Sequence, residues 1–183
     1  MSTTSILALD VSAKACGWAF GWPGDVPSSG VVRFSVDGGT EDEAWARCLP
    51  WINDQISVLS PTIVAIEAPI QATGGGFTNP QTQSMLWGLQ AVIRTVVKLR
   101  MPGRARLVNV ATARKVFTGA GRYGSGEAKE TVQAEALRRG WLTMETCNPD
   151  RADALAVWCA VASEHDKSLA WTRGKSQSPQ ARA

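Results

Sequence analysis

The sequence holds one histidine, His165, one tyrosine, Tyr123, and four cysteines, Cys16, Cys48, Cys147 and Cys159, none in a CxxC pair. A lone histidine argues against histidine-based acid–base chemistry. The scattered cysteines suggest neither a zinc site nor a disulfide framework and are expected to be buried free thiols. No apolar run reaches the eighteen or so residues that a membrane span needs, and the opening MSTTSILALD enters a strand-like stretch without a basic leader. A soluble protein with no membrane role is expected, in the cytoplasm of a bacterium or of a phage-infected host. With 183 residues and 44% hydrophobic content, one domain with one substantial core is expected.

Acidic charge is scarce where basic charge is dense. The net charge is +3, but residues 94–139 carry eleven basic side chains against Glu127, Glu130 and Glu135, whereas residues 1–93 carry three basic and eight acidic ones. A concentrated basic segment beside acidic ones fits a protein that grips a polyanion and keeps carboxylates for cations.

Ile6–Val11, Gly17–Gly21 and Val31–Val36 are short, apolar or β-branched, and separated by turn residues, which predicts an antiparallel three-strand opening. Apolar residues recur at helical spacing from Thr40 to Leu59, after acidic Glu41, Asp42 and Glu43, with Pro50 expected to bend or split the helix. Thr62–Glu67 predicts a buried strand that Pro69 stops. The glycine-rich loop QATGGGFTN then leads to a long helix from about Pro80 to Arg100, capped by Asn79. A strand at Arg106–Val110, a short helix at Ala111–Phe117, a flexible linker TGAGRYGSG and a helix at Glu127–Arg139 closed by Gly140 follow. The last helix starts at Asn148-Pro149-Asp150 and runs to about Glu164. The expected fold class is α/β, a mixed sheet flanked by helices. Residues 1–165 form the predicted domain, and residues 166–183 are expected to be a disordered basic tail.

Four carboxylates stand out in this frame. Asp10 ends the apolar run ILAL and Glu67 ends IVAI, both costly places for a charge unless something binds it. They would lie side by side if the first and fourth strands were neighbours. Asp150 and Asp153, three apart at a helix start, project from one face. Carboxylates gathered without a cation repel and take up protons. Oxygen-only ligands favour Mg²⁺ or Mn²⁺, and two such ions can activate water and stabilise the leaving oxygen in phosphodiester cleavage.

These residues carry a resemblance. The chain resembles RuvC-type Holliday junction resolvases of the RNase H-like superfamily from about Ile6 to Ala162. ILALDVSAKACGWAF looks like the family's first strand, aspartate, turn and second strand, and IVAIEAP like its glutamate strand. LWGLQAVIRTVVKL and RLVNVATARKVFTGAGRYGSGEAK are similar to the stretch leading into its DNA-contacting glycine-and-lysine segment, and NPDRADALAVW to its closing helix. The resemblance implies a five-stranded sheet, three strands antiparallel and then two parallel. It makes Asp10, Glu67, Asp150 and Asp153 catalytic ligands of two metal ions, and implies endonuclease activity on four-way or related branched DNA by a homodimer. Arg114 and Lys129 fall on the family's basic positions, with Lys115 and Arg122 as further DNA contacts. Ser12 stands where many relatives have glycine, and the loop after Glu67 is longer than in typical cellular members. Phe77 in that loop is the candidate for the aromatic that stacks on junction bases, and a divergent, phage-type member is expected.

Other readings are weaker. Gly119–Gly124 matches GxGxxG but follows a helix-like segment, so its context is wrong for dinucleotide binding, and TGGGF lacks the GK[ST] of a P-loop. A sugar-kinase or actin-like ATPase shares the core but needs two such domains. A junction-binding scaffold without catalysis would have no use for all four acids. Trp18, Trp45, Trp51, Trp87 and Trp158 are expected as core or dimer anchors, and Trp171 has no packing role in sight. The helix around Met85–Val97, with Leu89 at its centre, is the expected dimer interface.

Overall fold

The computed structural model describes residues 4–12, 14–69, 79–124 and 126–172; Phe77, most of the glycine-rich loop and residues 173–183 lie outside them. Strands β1 (Ile6–Val11), β2 (Cys16–Gly21) and β3 (Ser28–Val32) are followed by α1 (Glu41–Leu59), β4 (Ile63–Glu67) and α2 (Pro80–Arg100). Then come β5 (Ala105–Val108), α3 (Val110–Thr118), α4 (Glu127–Arg138), α5 (Pro149–His165) and a short 3₁₀ turn at Lys167–Leu169. The five strands form one mixed sheet in the order β3-β2-β1-β4-β5. β1, β2 and β3 are antiparallel, while β4 and β5 run parallel to β1. This is the expected α/β architecture.

Strand side chains alternate between faces, and here each face has its own core. Leu7, Leu9, Val64 and Ile66 point towards α1 and α2, burying Ile52, Ile56, Leu89 and Ile93. Ile6, Ala8, Ile63 and Ala65 point the other way, towards α3, α4 and α5. The same alternation turns Asp10 and Glu67 to the α5 side. α5 is apolar on every side and buried from Ala152 to Ser163, as a helix laid across a sheet and covered by two others must be.

The helix ends follow their sequence signals. Thr40 makes a capping box with Glu43 at the start of α1, and the Asn79 side chain accepts the Gln81 N–H at 2.9 Å before Pro80. α1 is not split by Pro50: it runs unbroken because Cys48 and Ile52, on either side, pack into one core.

Four expectations need correction. The third strand is Ser28–Val32, not Val31–Val36: Gly30 lies under Trp18, whose ring a Cβ there would meet at 2.7 Å, and this fixes the register. Phe34 then leaves the sheet to pack under α1 against Trp51. TGAGRYGSG is no open linker over its described residues, because Gly121 lies against the Ala111 carbonyl and Tyr123 hydrogen-bonds Thr118. The stretch after His165 is not wholly unstructured either. The turn at Lys167–Leu169 packs on α5 and Trp171 on the end of α3, with the Trp171 N–H donating to the Val116 carbonyl at 2.7 Å and its ring resting on Gly119.

The fourth correction concerns Leu89, which is 1% exposed and belongs to the monomer's core rather than to an interface. Its α2 face already covers the sheet. Trp158 is fully buried, whereas Trp87 is exposed. All four cysteines are free, three of them buried and Cys147 half-buried. Among the described residues no helix is long and apolar enough to cross a membrane.

Candidate active site

The site is assembled at the carboxyl ends of β1 and β4, under the amino end of α5. The β1–β4 register pairs Leu9 with Ile66, so its next step sets Asp10 beside Glu67. On the other side of β1, Asp10 pairs with Gly17 of β2. A Cβ at Gly17 would stand 1.9 Å from the Asp150 carbonyl oxygen, so glycine there is what lets the start of α5 descend onto the sheet.

The first turn of α5 is fixed by two contacts. The Asn148 side chain caps it, accepting the N–H groups of Asp150 at 2.9 Å and Arg151 at 3.3 Å. Arg151 ties it to β3, donating from Nη2 to the Ser29 carbonyl at 2.8 Å. Asp150 and Asp153, one turn apart, therefore face the strand-end pair. On the far side, the buried Gln90 of α2 donates from Nε2 to the Glu67 carbonyl at 2.8 Å. The Gln90 Oε1 has no hydrogen-bond partner among the described residues.

Electrostatics binds the four acids into one unit. Burial, and then the charges of Glu67, Asp153 and Asp150, hold the Asp10 carboxyl well above the usual range, with Lys129 acting against them. Glu67 is pushed up to about 7 by burial and by Asp153, against the pull of Arg114. Asp153 is raised by burial and Asp150, and lowered by Arg114 and Lys129. Arg114, on α3, has Nη2 4.0 Å from Asp153 Oδ1, and its Nε is buried without a hydrogen-bond partner among the described residues. Lys129 stands exposed on α4, Lys115 is exposed on α3, and Arg122 is exposed in the stretch folded back on α3.

These donors fit a hard divalent cation in chemistry, since all are carboxylate oxygens, and the raised proton affinity of Asp10, Glu67 and Asp153 is what unneutralised, crowded acids show. As placed, no three His, Cys, Asp or Glu side chains among the described residues stand close enough together to hold a metal ion. The four acids share a field, and would have to draw together to share an ion.

No protein-family model matches the chain, and no curated protein matches it. Solved structures do. The Thermus thermophilus RuvC structure is similar with a TM-score of 0.65 at 16% identity, over 91% of this chain and 98% of that one. The same protein in complex with a Holliday junction substrate gives 0.66 at 16% identity and the same coverage. The yeast mitochondrial Holliday junction resolvase Ydc2 gives 0.56 at 11% identity, over 91% of this chain and 83% of that one.

The chain has the RuvC-type, RNase H-like fold.

Within this RuvC-type fold, Asp10, Glu67, Asp150 and Asp153 lie at one end of the sheet within electrostatic reach of one another, and Arg114 and Lys129 lie close enough to act on them electrostatically. Lys115 and Arg122 have no such link, and Phe77 lies outside the described residues. Sequence reasoning missed Gly17, Gln90 and Arg151. Gln90 alone left a signal: an amide on the apolar face of a helix, between Leu89 and Ile93.

Proposed function

We propose that the protein is a metal-dependent DNA endonuclease that cleaves Holliday junctions or related branched DNA. The observation that carries this reading is the convergence of Asp10, Glu67, Asp150 and Asp153 at one end of the sheet, with Arg114 and Lys129 beside them. Asp10, Glu67, Asp150 and Asp153 would hold two Mg²⁺ or Mn²⁺ ions, which when bound supply water activation and stabilisation of the leaving 3′ oxygen. The protein's own part is to place and neutralise. β1 and β4 fix Asp10 and Glu67 side by side, and the capped start of α5 adds Asp150 and Asp153. Arg114 offsets the charge of Asp153 in the absence of substrate. Lys129, Lys115 and Arg122 are placed on exposed surface where phosphates can be gripped without reading bases.

A four-way junction has near two-fold symmetry and needs two matched cuts, so a homodimer belongs to this reading. The solved complex of a similar fold with a Holliday junction substrate supports branched DNA as the partner. The test is cleavage of a labelled synthetic four-way junction, beside fork, flap and linear duplex, in Mg²⁺, Mn²⁺ or EDTA. Paired symmetric nicks on the junction alone support a resolvase, and cutting of every branched form makes it a general debranching nuclease. Tight junction binding without cutting in either metal would replace the enzyme by a scaffold.

A further inference from the structure

We propose that Gln90 is a positioning residue for the carboxylate site: its side-chain amide replaces the last rung between β1 and β4, and so sets how Asp10 and Glu67 approach each other when the acids close on a cation. This rests on the metal-dependent reading above and adds to it a residue that holds neither ion nor DNA itself.

The peptide between Glu67 and Ala68 fixes the geometry. Its N–H, on Ala68, donates to the Val108 carbonyl of β5 at 2.8 Å. In a trans peptide the carbonyl points the opposite way, so the Glu67 carbonyl is turned towards β1. In a parallel ladder that carbonyl would accept the Val11 N–H, as the rung after the Leu9–Ile66 pair. The β1–β4 register stops at that pair, and Gln90 Nε2 donates to the Glu67 carbonyl instead, at 2.8 Å. The break falls between the two strands that carry Asp10 and Glu67, at the level of those two residues.

The packing of α2 does not call for an amide here. Gln90 is 3% exposed and belongs to a buried helix face with Leu89, Ile93, Val96 and Val97, where an apolar side chain would fill the same space. Its Oε1 is buried without a hydrogen-bond partner among the described residues, and a buried acceptor left unpaired is destabilising. Gln90 thus weakens the core in which it sits, and its use is at the strand ends. As placed, the four acids have to draw together to share an ion. A backbone rung at Val11 would lock the strand ends at the ladder spacing of about 4.7–4.9 Å. A side chain reaching from α2 holds the Glu67 carbonyl and leaves the end of β1 room to move, and its unused Oε1 offers an acceptor for the Val11 N–H that the ladder does not use.

The experiment measures Mn²⁺ binding to the full chain by calorimetry without DNA, beside the thermal midpoint and the junction affinity in EDTA. Gln90→Met keeps the length of the side chain and removes both amide atoms. It should bind Mn²⁺ about 10–100-fold more weakly, as loss of a residue that orients a metal ligand does, with junction affinity unchanged. Its midpoint should stay within about 4 °C of wild type, because one hydrogen bond is lost while one orphaned acceptor is removed. Junction cleavage should return towards the wild-type rate as Mn²⁺ is raised, which a damaged fold would not show. Gln90→Leu, shorter and branched, repeats the loss in case Met disturbs α2. Ile93→Val, on the same face, is the packing control and should lower the midpoint while keeping wild-type Mn²⁺ affinity. Wild-type Mn²⁺ affinity in folded Gln90→Met and Gln90→Leu overturns the proposal, as does an equal loss of affinity in Ile93→Val; unfolding of both Gln90 variants would assign the amide to the core and overturn it too. A wild-type chain that takes up no Mn²⁺ overturns the metal-dependent reading itself, and is told apart because no variant is needed to see it.

Discussion

Glu67 and Asp10 carry raised proton affinities for the same reason, burial beside other acids, and this sets a pH dependence of stability. Unfolded, both carboxyls titrate in the ordinary range near pH 4; folded, Glu67 titrates at about 7. Between those values the folded chain binds more protons than the unfolded one, so stability falls as pH rises and is lowest above about 7. In EDTA, the thermal midpoint should therefore drop from pH 5 to pH 8, and Glu67→Gln should flatten the drop. A midpoint that climbs over that window would contradict the packing of these acids. Asp153→Asn should leave junction binding intact and reduce cleavage by about 100-fold or more, beyond the roughly 10–100-fold cost of outer-shell changes. Normal cutting by that variant would remove Asp153 from the metal set. Lys129→Ala should weaken both binding and cleavage, with little change in preference between substrates. At this scale the sequence was informative about Asp10 and Glu67, because a charge closing an apolar strand is visible in one dimension. Gly17 and Arg151 were not legible. Gly17 matters through the Asp150 carbonyl and Arg151 through Ser29, and both partners are more than a hundred residues away in the chain.

Elements were legible where their signals are local. The Thr40 box, Asn79 with Pro80, and Asn148 with Pro149 mark the helix starts. β3 was misplaced because its register depends on Trp18 fitting over Gly30, a cross-strand fact that composition does not carry. The stretch after α3 reads as linker by its glycines, yet Gly121 permits close packing against α3. The approach of α5 to β2 gives the sharpest element-scale prediction. Gly17→Ala puts a methyl 1.9 Å from the Asp150 carbonyl, so the start of α5 has to lift away. Overpacking of this kind costs about 1–3 kcal/mol, or roughly 2–4 °C of thermal midpoint per kcal/mol in a domain this size. Cleavage should fall further than stability, because Asp150 and Asp153 move away from Asp10 while every acid is retained. Wild-type cleavage in a folded Gly17→Ala chain would show that the height of α5 is not what sets the site.

For the whole molecule, the proposed cleavage of a two-fold junction calls for two copies, and the exposed apolar surface offers a place for them to meet. The face of α2 that carries Leu89 is spent on the monomer's core. On the opposite side, α1 and α2 form an apolar groove of about 460 Å³ lined by Leu49, Ala91, Val92, Thr95 and Leu99. Leu49 is 53% exposed and Leu99 76% exposed in the single chain, so a charge at either has room to be solvated if no partner covers it. Leu99→Glu should then halve the mass measured by light scattering, leave the thermal midpoint extrapolated to low concentration unchanged, and turn paired junction cuts into unpaired nicks. Leu89→Glu should instead lower the midpoint at every concentration, since it buries a charge within one subunit. If Leu49→Glu and Leu99→Glu both keep a dimer's mass, the contact lies elsewhere; if wild type already has the mass of one chain, matched cutting has to come from two subunits that meet only on the junction.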